Sequence, residues 1–194
     1  DGTRISKTTG LKRLLPTFFG LLFVTFLLHY FVRILRIVES PADPQALGFG
    51  LFFCLWIVFV AKFSDIGALL VGKTIGRTKM APSISPGKTV EGLLGGLGAS
   101  AGIGALIPWL ANHHLSHLFD FGAWSLEPSQ GACWGLVIGL VSVIGDLIAS
   151  VLKRLAGMKD SGGSIPGIGG LLDLTDSLIL SAPAGYFIIL LIHP

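Results

Sequence analysis

The chain has 194 residues, of which 52% are hydrophobic and only 13% are charged. The charged share is about half of the ~25% typical of soluble globular proteins, so a soluble surface cannot be built from it. The apolar content is too high for a disordered chain, and a net charge of +3 with dispersed basic residues gives no basis for nucleic-acid binding. The composition therefore predicts an integral membrane protein and excludes a soluble enzyme.

Apolar stretches long enough to cross a hydrocarbon core, which takes about 20 helical residues, recur along the chain. They are residues 16–38, 46–63, 90–111, 130–152 and 170–192. The expected fold is all-α, a single polytopic membrane domain over 1–194 with about five transmembrane helices. Residues 1–45 are its N-terminal basic segment and first span. We interpret that span as a retained anchor, because no small-residue cleavage site follows it.

Basic residues are distributed unevenly between the loops. Segments 39–45 and 112–129 contain no Lys or Arg, whereas most of the 14 basic residues lie in the N-terminal stretch, in 62–89 or in 153–169. The positive-inside rule therefore predicts a cytoplasmic N-terminus and an external C-terminus. We therefore expect the N-terminal stretch and the two basic loops to face the cytoplasm.

The third span is rich in glycine. Gly92 and Gly96 are four residues apart, and so are Gly98 and Gly102. Small residues at this spacing let helix backbones approach closely in lipid. We expect both pairs to lie at helix–helix contacts.

The fourth span contains a carboxylate, Asp146, about 10 Å from its cytoplasmic end at 1.5 Å per residue. A charge at such a depth costs at least ~2.5 kcal/mol, so it requires a partner or a water-filled cavity. Ser150 and Lys153 follow at i+4 and i+7, on the same helix face. This face predicts a functional site at the cytoplasmic end of the span.

A glycine-rich stretch, residues 159–170, follows the fourth span and cannot be continuous helix. The fifth helix then opens with Asp173 and Asp176 at i and i+3, on one face, which can approach Asp146 across the turn. Hard cations such as Mg²⁺ bind through one or two carboxylates plus phosphate oxygens, and glycines let backbone amides approach phosphates. These residues predict a site for phosphoryl or nucleotidyl transfer.

A second polar block, residues 83–92, leads into the third span. Its Gly87-Lys88-Thr89 sequence suggests a P-loop, but the glycine required five residues earlier is Pro82, which excludes a Walker motif. Lys88 and Thr89 are instead typical of an anion site at a helix N-terminus.

The two blocks resemble the phosphatidate cytidylyltransferase (CDP-diacylglycerol synthase) family, over about residues 56–185. The C-terminal signature of that family is matched at Ser150, Lys153, Arg154, Lys159, Asp160, Pro166, Gly167, Gly169, Gly170, Asp173 and Asp176. Its earlier block is matched at Asp65, Gly67, Ala68, Ser85, Pro86, Lys88, Thr89, Glu91 and Gly92. Two positions depart from the signature: Ile168 replaces His and Leu174 replaces Arg. Members of the family are usually longer, so the chain resembles their C-terminal catalytic part.

The resemblance implies transfer of a cytidylyl group from CTP to phosphatidic acid, which gives CDP-diacylglycerol and pyrophosphate. It also implies a site for two metal ions, with Asp146 and Asp173 as metal ligands. One ion is Mg²⁺, and the identity of the second is left open. The implied catalytic residues are Asp146, Asp173, Asp176 and Lys153. The implied substrate-binding residues are Asp65, Ser85, Lys88, Thr89, Arg154, Lys159, Asp160, Gly167, Gly169 and Gly170. The expected partners are CTP, phosphatidic acid and membrane lipid, without nucleic acid, and a homodimer is an open alternative.

Three other functions fit the same residues. One is a CTP-dependent transferase that acts on another lipid phosphate or a polyprenol. Another is an ion- or proton-coupled transporter, although the outer halves of the spans have almost no polar residues to line a pathway. The third is a non-catalytic relative, which the departures at Ile168 and Leu174 suggest.

Overall fold

The computed structural model describes residues 24–37, 44–114, 126–155 and 171–192, with side chains for all of these except 44–47, 155 and 171–174. Helices and one β-hairpin make up this part of the chain. In chain order they are α1 (Val24–Leu35), α2 (Pro44–Thr74), β1 (Lys79–Ala81), β2 (Ser85–Thr89), α3 (Val90–His114), α4 (Pro128–Leu155) and α5 (Leu171–Ile192).

Four of these helices contain stretches long and apolar enough to cross a membrane. The stretches are Gly48–Thr74, Val90–His114, Pro128–Arg154 and Thr175–Ile192. Large apolar side chains such as Leu94 and Leu191 lie on the surface, which is the arrangement of helices that face lipid. The predicted all-α polytopic membrane fold is confirmed. The predicted first span, 16–38, lies partly outside the described residues, and within them it forms the shorter apolar helix α1.

The second predicted span, 46–63, is too short. α2 continues to Thr74, so Asp65 lies inside the helix, and the assignment of residues 62–74 to a loop was wrong. The helix tolerates charges here because Lys62 and Asp65, at i and i+3, lie on one face with the ammonium 3.6 Å from the carboxylate. Apolar side chains such as Leu69 remain exposed elsewhere on the helix.

The β-hairpin lies between α2 and α3 and was not predicted. Its strands pair antiparallel, with Lys79 opposite Thr89 and Ala81 opposite Ser85. Thr89 caps α3, because the backbone N–H of Gly92 donates to its Oγ1 at 3.1 Å. The strands have only three and five residues and lack alternating apolar side chains, so the sequence contains little strand signal.

α3 contacts α2 and α4 through a row of small residues. Gly92, Gly96, Ser100 and Gly104 are buried at four-residue intervals, and a Cβ on Gly96 would lie 2.8 Å from the backbone oxygen of Ser64 in α2. The first predicted glycine pair is therefore confirmed. The second pair does not lie at a contact between the described helices, because a Cβ on Gly98 or Gly102 would meet none of the described residues within 4 Å. Two positions along a helix correspond to about 200° of rotation, which turns that pair away from the contact.

The largest buried apolar side chains lie toward the end of the bundle where α2 begins and α5 ends. Phe49 and Phe53 have ring centroids 4.7 Å apart, and Trp56 donates its indole N–H to the backbone oxygen of Gly104 at 3.1 Å. Ile189 of α5 is buried in the same cluster. At the other end α2 and α4 end and α5 begins, next to the hairpin. We call this the hairpin end, and it holds the charged residues described below.

Candidate active site

Three lysine–aspartate pairs lie at the hairpin end. They are Lys62–Asp65, Lys88–Asp146 and Lys153–Asp176. Their residues come from α2, β2, α4 and α5, so four elements with separate positions in the sequence contribute to the same region. We call these six side chains the lysine–aspartate cluster.

The closest of the three pairs joins the hairpin to α4. Lys88 Nζ lies 2.7 Å from Asp146 Oδ2, and the two side chains are only 21% and 28% exposed. Lys88 directly precedes Thr89, whose cap on α3 fixes the end of β2. The hairpin therefore directs an ammonium group to the carboxylate that the sequence places inside a membrane span. Both residues were predicted for the site, and the structure brings them together.

The second pair joins the end of α4 to the start of α5. Lys153 Nζ lies 3.7 Å from Asp176 Oδ2, and these side chains are 13% and 11% exposed. The other oxygen of Asp176, Oδ1, accepts the backbone N–H of Ser177 at 2.8 Å. Lys153 and Asp176, both predicted for the site, thus form a buried ion pair.

The third pair includes a residue that sequence reasoning missed. Lys62 Nζ donates to Ser177 Oγ at 2.8 Å and lies 3.6 Å from Asp65 Oδ2. The available signal was a lysine within an otherwise apolar run of α2. Lys62 was assigned to the predicted basic loop 62–89, at the boundary of the predicted span 46–63. Asp65, which was predicted, lies at the cluster through this pair.

Three further residues that were predicted for the site contact the hairpin or α3; they are Arg154, Thr89 and Ser85. Arg154 donates its Nε–H to the backbone oxygen of Ile84 at 3.3 Å, which ties the end of α4 to the hairpin turn. Thr89 is buried at 5% exposure and caps α3 through its hydroxyl. Ser85 begins β2, opposite Ala81. Arg154 and Thr89 thus connect the hairpin, and with it Lys88, to α4 and α3.

The remaining predicted residues lie outside what the structure describes. Lys159, Asp160, Gly167, Gly169 and Gly170 fall between α4 and α5, in residues beyond the described ranges. Asp173 lies in the first turn of α5, but its side chain is not among those described. Their roles stay predictions.

The lysine–aspartate cluster contains three carboxylates and three ammonium groups. The carboxylate of Asp146 is close enough to repel those of Asp65 and Asp176, and the three ammonium groups offset this repulsion. Within the described ranges no three His, Cys, Asp or Glu side chains form a metal-binding group. Mg²⁺ needs only one or two protein carboxylates when phosphates supply its other ligands, and the cluster contains carboxylates of this kind at Asp146 and Asp176, each in contact with a lysine.

Comparisons with known proteins agree with the sequence motifs. The cytidylyltransferase family profile matches residues 5–192. A phosphatidate cytidylyltransferase from Synechocystis is 43% identical over 162 residues, which are 80% of this chain and 49% of that protein. A second, from Haemophilus influenzae, is 36% identical over 77% of this chain and 48% of its own length. The uncharacterised protein YnbB of Escherichia coli is 35% identical over 89% of this chain and 52% of its own.

The chain thus spans about half the length of the curated relatives it matches. The match nevertheless extends over nearly the whole chain and includes every element that contributes to the lysine–aspartate cluster. The chain belongs to the cytidylyltransferase family.

Proposed function

We propose that this chain contains the catalytic centre of a phosphatidate cytidylyltransferase, which transfers the cytidylyl group of CTP to phosphatidic acid. The observation that carries the proposal is the contact between Lys88 and Asp146 inside a bundle of membrane-spanning helices. The ammonium proposed to bind phosphate and the carboxylate proposed to bind metal meet there. The names of the relatives from Synechocystis and Haemophilus influenzae support the choice of reaction.

The proposed reaction is a displacement at phosphorus. A phosphate oxygen of phosphatidic acid bonds to the α-phosphorus of CTP, and the bond from that phosphorus to the oxygen bridging the β-phosphate breaks. The electron pair leaves with pyrophosphate, and CDP-diacylglycerol remains. A phosphate monoester is largely ionised at neutral pH, so the nucleophile needs no general base. The protein therefore contributes positioning and charge neutralisation.

The cluster supplies both contributions. Lys88 and Lys153 bind phosphate oxygens of CTP, and Arg154 keeps the hairpin in place so that Lys88 stays aimed at them. In this proposal Asp146 and Asp173 hold Mg²⁺, supported by Asp176 and Asp160. A bound Mg²⁺ ion would neutralise phosphate charge and polarise the α-phosphoryl group.

The glycine-rich segment between α4 and α5 completes the proposed nucleotide site. Gly167, Gly169 and Gly170 give backbone N–H groups close access to phosphates, and Lys159 adds a positive charge. CTP is a cytosolic nucleotide, so the hairpin end faces the cytoplasm in this proposal. The distribution of Lys and Arg between the loops supports that orientation. The membrane is a bacterial inner membrane, as the bacterial sources of the relatives suggest.

The choice of lipid can be tested directly. Purified full-length protein in mixed micelles is given CTP and Mg²⁺ with either phosphatidic acid or a polyprenyl phosphate, and the lipid products are identified by mass spectrometry. We expect CDP-diacylglycerol from the first lipid and no product from the second, with activity lost on chelation of Mg²⁺. Product from the polyprenyl phosphate alone would preserve cytidylyl transfer and replace the substrate. Absence of product from both lipids would refute the proposal.

A further inference from the structure

Lys62 belongs to the lysine–aspartate cluster, but the proposed reaction assigns it no role. It lies in α2, within the apolar stretch Gly48–Thr74, and its ammonium contacts Ser177 and Asp65. A charged group inside such a stretch is costly unless it pairs with other groups or faces a polar cavity. Its side chain is 33% exposed, so it is not sealed inside the bundle.

The three lysines reach the cluster from different directions. Lys88 comes from the hairpin, and Lys153 comes from the last turn of α4. Lys62 lies twelve residues before Thr74, the last residue of α2, which corresponds to about 18 Å along the helix. Lys62 is therefore the lysine of the cluster that approaches from the membrane side.

Asp65 shares the helix face of Lys62, but two other neighbours on adjacent turns are apolar and exposed. Phe59 at i−3 and Ile66 at i+4 are 47% and 45% exposed. Exposed apolar side chains within a membrane-spanning stretch face acyl chains. Lys62 thus lies where the lipid-facing surface of α2 meets the polar cluster.

We infer that Lys62 binds the phosphate of the lipid substrate, while Lys88 and Lys153 bind the nucleotide. This inference rests on the proposed function. A soluble nucleotide enters from the hairpin end, whereas acyl chains hold the phosphate of a lipid at the level of the membrane. The ammonium of Lys62, which lies on the membrane side next to the exposed Phe59 and Ile66, is the one that such a phosphate meets.

Steady-state kinetics of Lys62→Met and Lys62→Gln test the inference. Both variants remove the charge and keep a long side chain. We expect the KM for phosphatidic acid, as mole fraction in mixed micelles, to rise about tenfold, because a hydrogen bond to a charged group is lost. The KM for CTP should stay within about twofold of the original. Lys73→Met is the matched control, since Lys73 is an exposed lysine in the last turn of the same helix.

Thermal unfolding provides a readout that does not depend on turnover. Phosphatidic acid should raise the Tm of the unaltered protein and of Lys73→Met, but not that of Lys62→Met. Phosphatidylcholine and inorganic phosphate, tested separately, should leave all three Tm values unchanged. These two controls separate a lipid phosphate monoester from a membrane lipid in general and from free phosphate.

Three results would overturn the inference: an equal or larger rise in the KM for CTP, unchanged KM values for both substrates, or equal Tm shifts in Lys62→Met and the unaltered protein. Failure of both Lys62 variants to fold would make Lys62 a structural residue and would also overturn it. If the unaltered protein makes no CDP-lipid but phosphatidic acid stabilises it through Lys62, the proposed function fails and the lipid site stands.

Discussion

The ammonium of Lys88, in β2, lies 2.7 Å from Oδ2 of Asp146, which lies nine residues before the end of α4. An isolated carboxylate at this depth costs at least ~2.5 kcal/mol, and the contact with a cation offsets that cost. In the proposed site, this pair places the ammonium assigned to phosphate next to the carboxylate assigned to Mg²⁺. Substitution of either residue therefore changes the environment of the other.

Asp146→Asn should lose most of the activity while the protein stays folded. Asparagine keeps the size of the side chain and an oxygen that can accept from Lys88, but it removes the charge. Loss of a metal ligand should lower the rate about 100-fold or more, since each ~1.4 kcal/mol of lost transition-state stabilisation is a factor of ten. The measurement is CDP-lipid synthesis at low Mg²⁺ and saturating CTP.

Glu127→Gln is the matched control for this variant. Glu127 is an exposed carboxylate next to the opposite end of α4, and its neutralisation should change neither the rate nor the Mg²⁺ requirement. Full activity in Asp146→Asn under the same conditions would show that Asp146 is a packing residue and not a ligand.

The buried pair Lys153–Asp176 should contribute to stability as well as to activity. Lys153→Met leaves the Asp176 carboxylate without this partner, and loss of one member of a buried pair destabilises a protein by about 3–5 kcal/mol. The double variant Lys153→Met/Asp176→Asn should regain part of the lost Tm and remain inactive. Thermal unfolding followed by tryptophan fluorescence measures the first effect, and CDP-lipid synthesis measures the second. Losses in the double variant that equal the sum of the single losses would show that the two side chains do not interact.

Much of the bundle could be predicted from the sequence because membrane spans obey simple physical rules. Length and apolarity locate the helices, and the cost of a buried charge marks Asp146. Helical periodicity places Lys153 on the same face as Asp146, and the structure directs both side chains to the cluster.

The contacts between elements could not be predicted in the same way. The hydrogen bond from Lys62 to Ser177 joins α2 to α5, and no periodicity within one segment encodes it. The extension of α2 past residue 63 includes Asp65, which lies 3.6 Å from Lys62. The hairpin depends on the cap at Thr89 and on the carboxylate of Glu91, which accepts the backbone N–H groups of Arg77 and Thr78.

The row of small residues in α3 predicts that substitutions of Gly96 and Gly98 differ in their effect on stability. A side chain on Gly96 would collide with the backbone of α2 at Ser64, whereas Gly98 faces open space. Gly96→Leu should therefore lower the free energy of unfolding by about 1–3 kcal/mol, the usual cost of overpacking. Gly98→Leu should change it little. The measurement is thermal or denaturant unfolding in detergent, and equal losses in the two variants would contradict the described packing of α3.

The orientation of the bundle predicts an asymmetry in chemical labelling. Ser83, in the hairpin turn, and Ser129, at the start of α4, are exposed at opposite ends of the bundle. In a background where Cys54 and Cys133 are alanine, Ser129→Cys should react with an impermeant maleimide added to intact cells. Ser83→Cys should react only after the membrane is opened. Labelling of Ser83→Cys from outside would reverse the proposed topology and separate the hairpin end from cytosolic CTP.

In the proposed reaction, a lipid phosphate forms a bond to the α-phosphorus of CTP. The most direct test gives the purified protein phosphatidic acid with CTP labelled on either the α- or the γ-phosphorus, and then counts the label in the organic phase. We predict that only the α-label enters the lipid, that it requires Mg²⁺, and that Asp146→Asn abolishes it. Transfer of the γ-label to the lipid, or no lipid labelling from either form of CTP, would contradict the account.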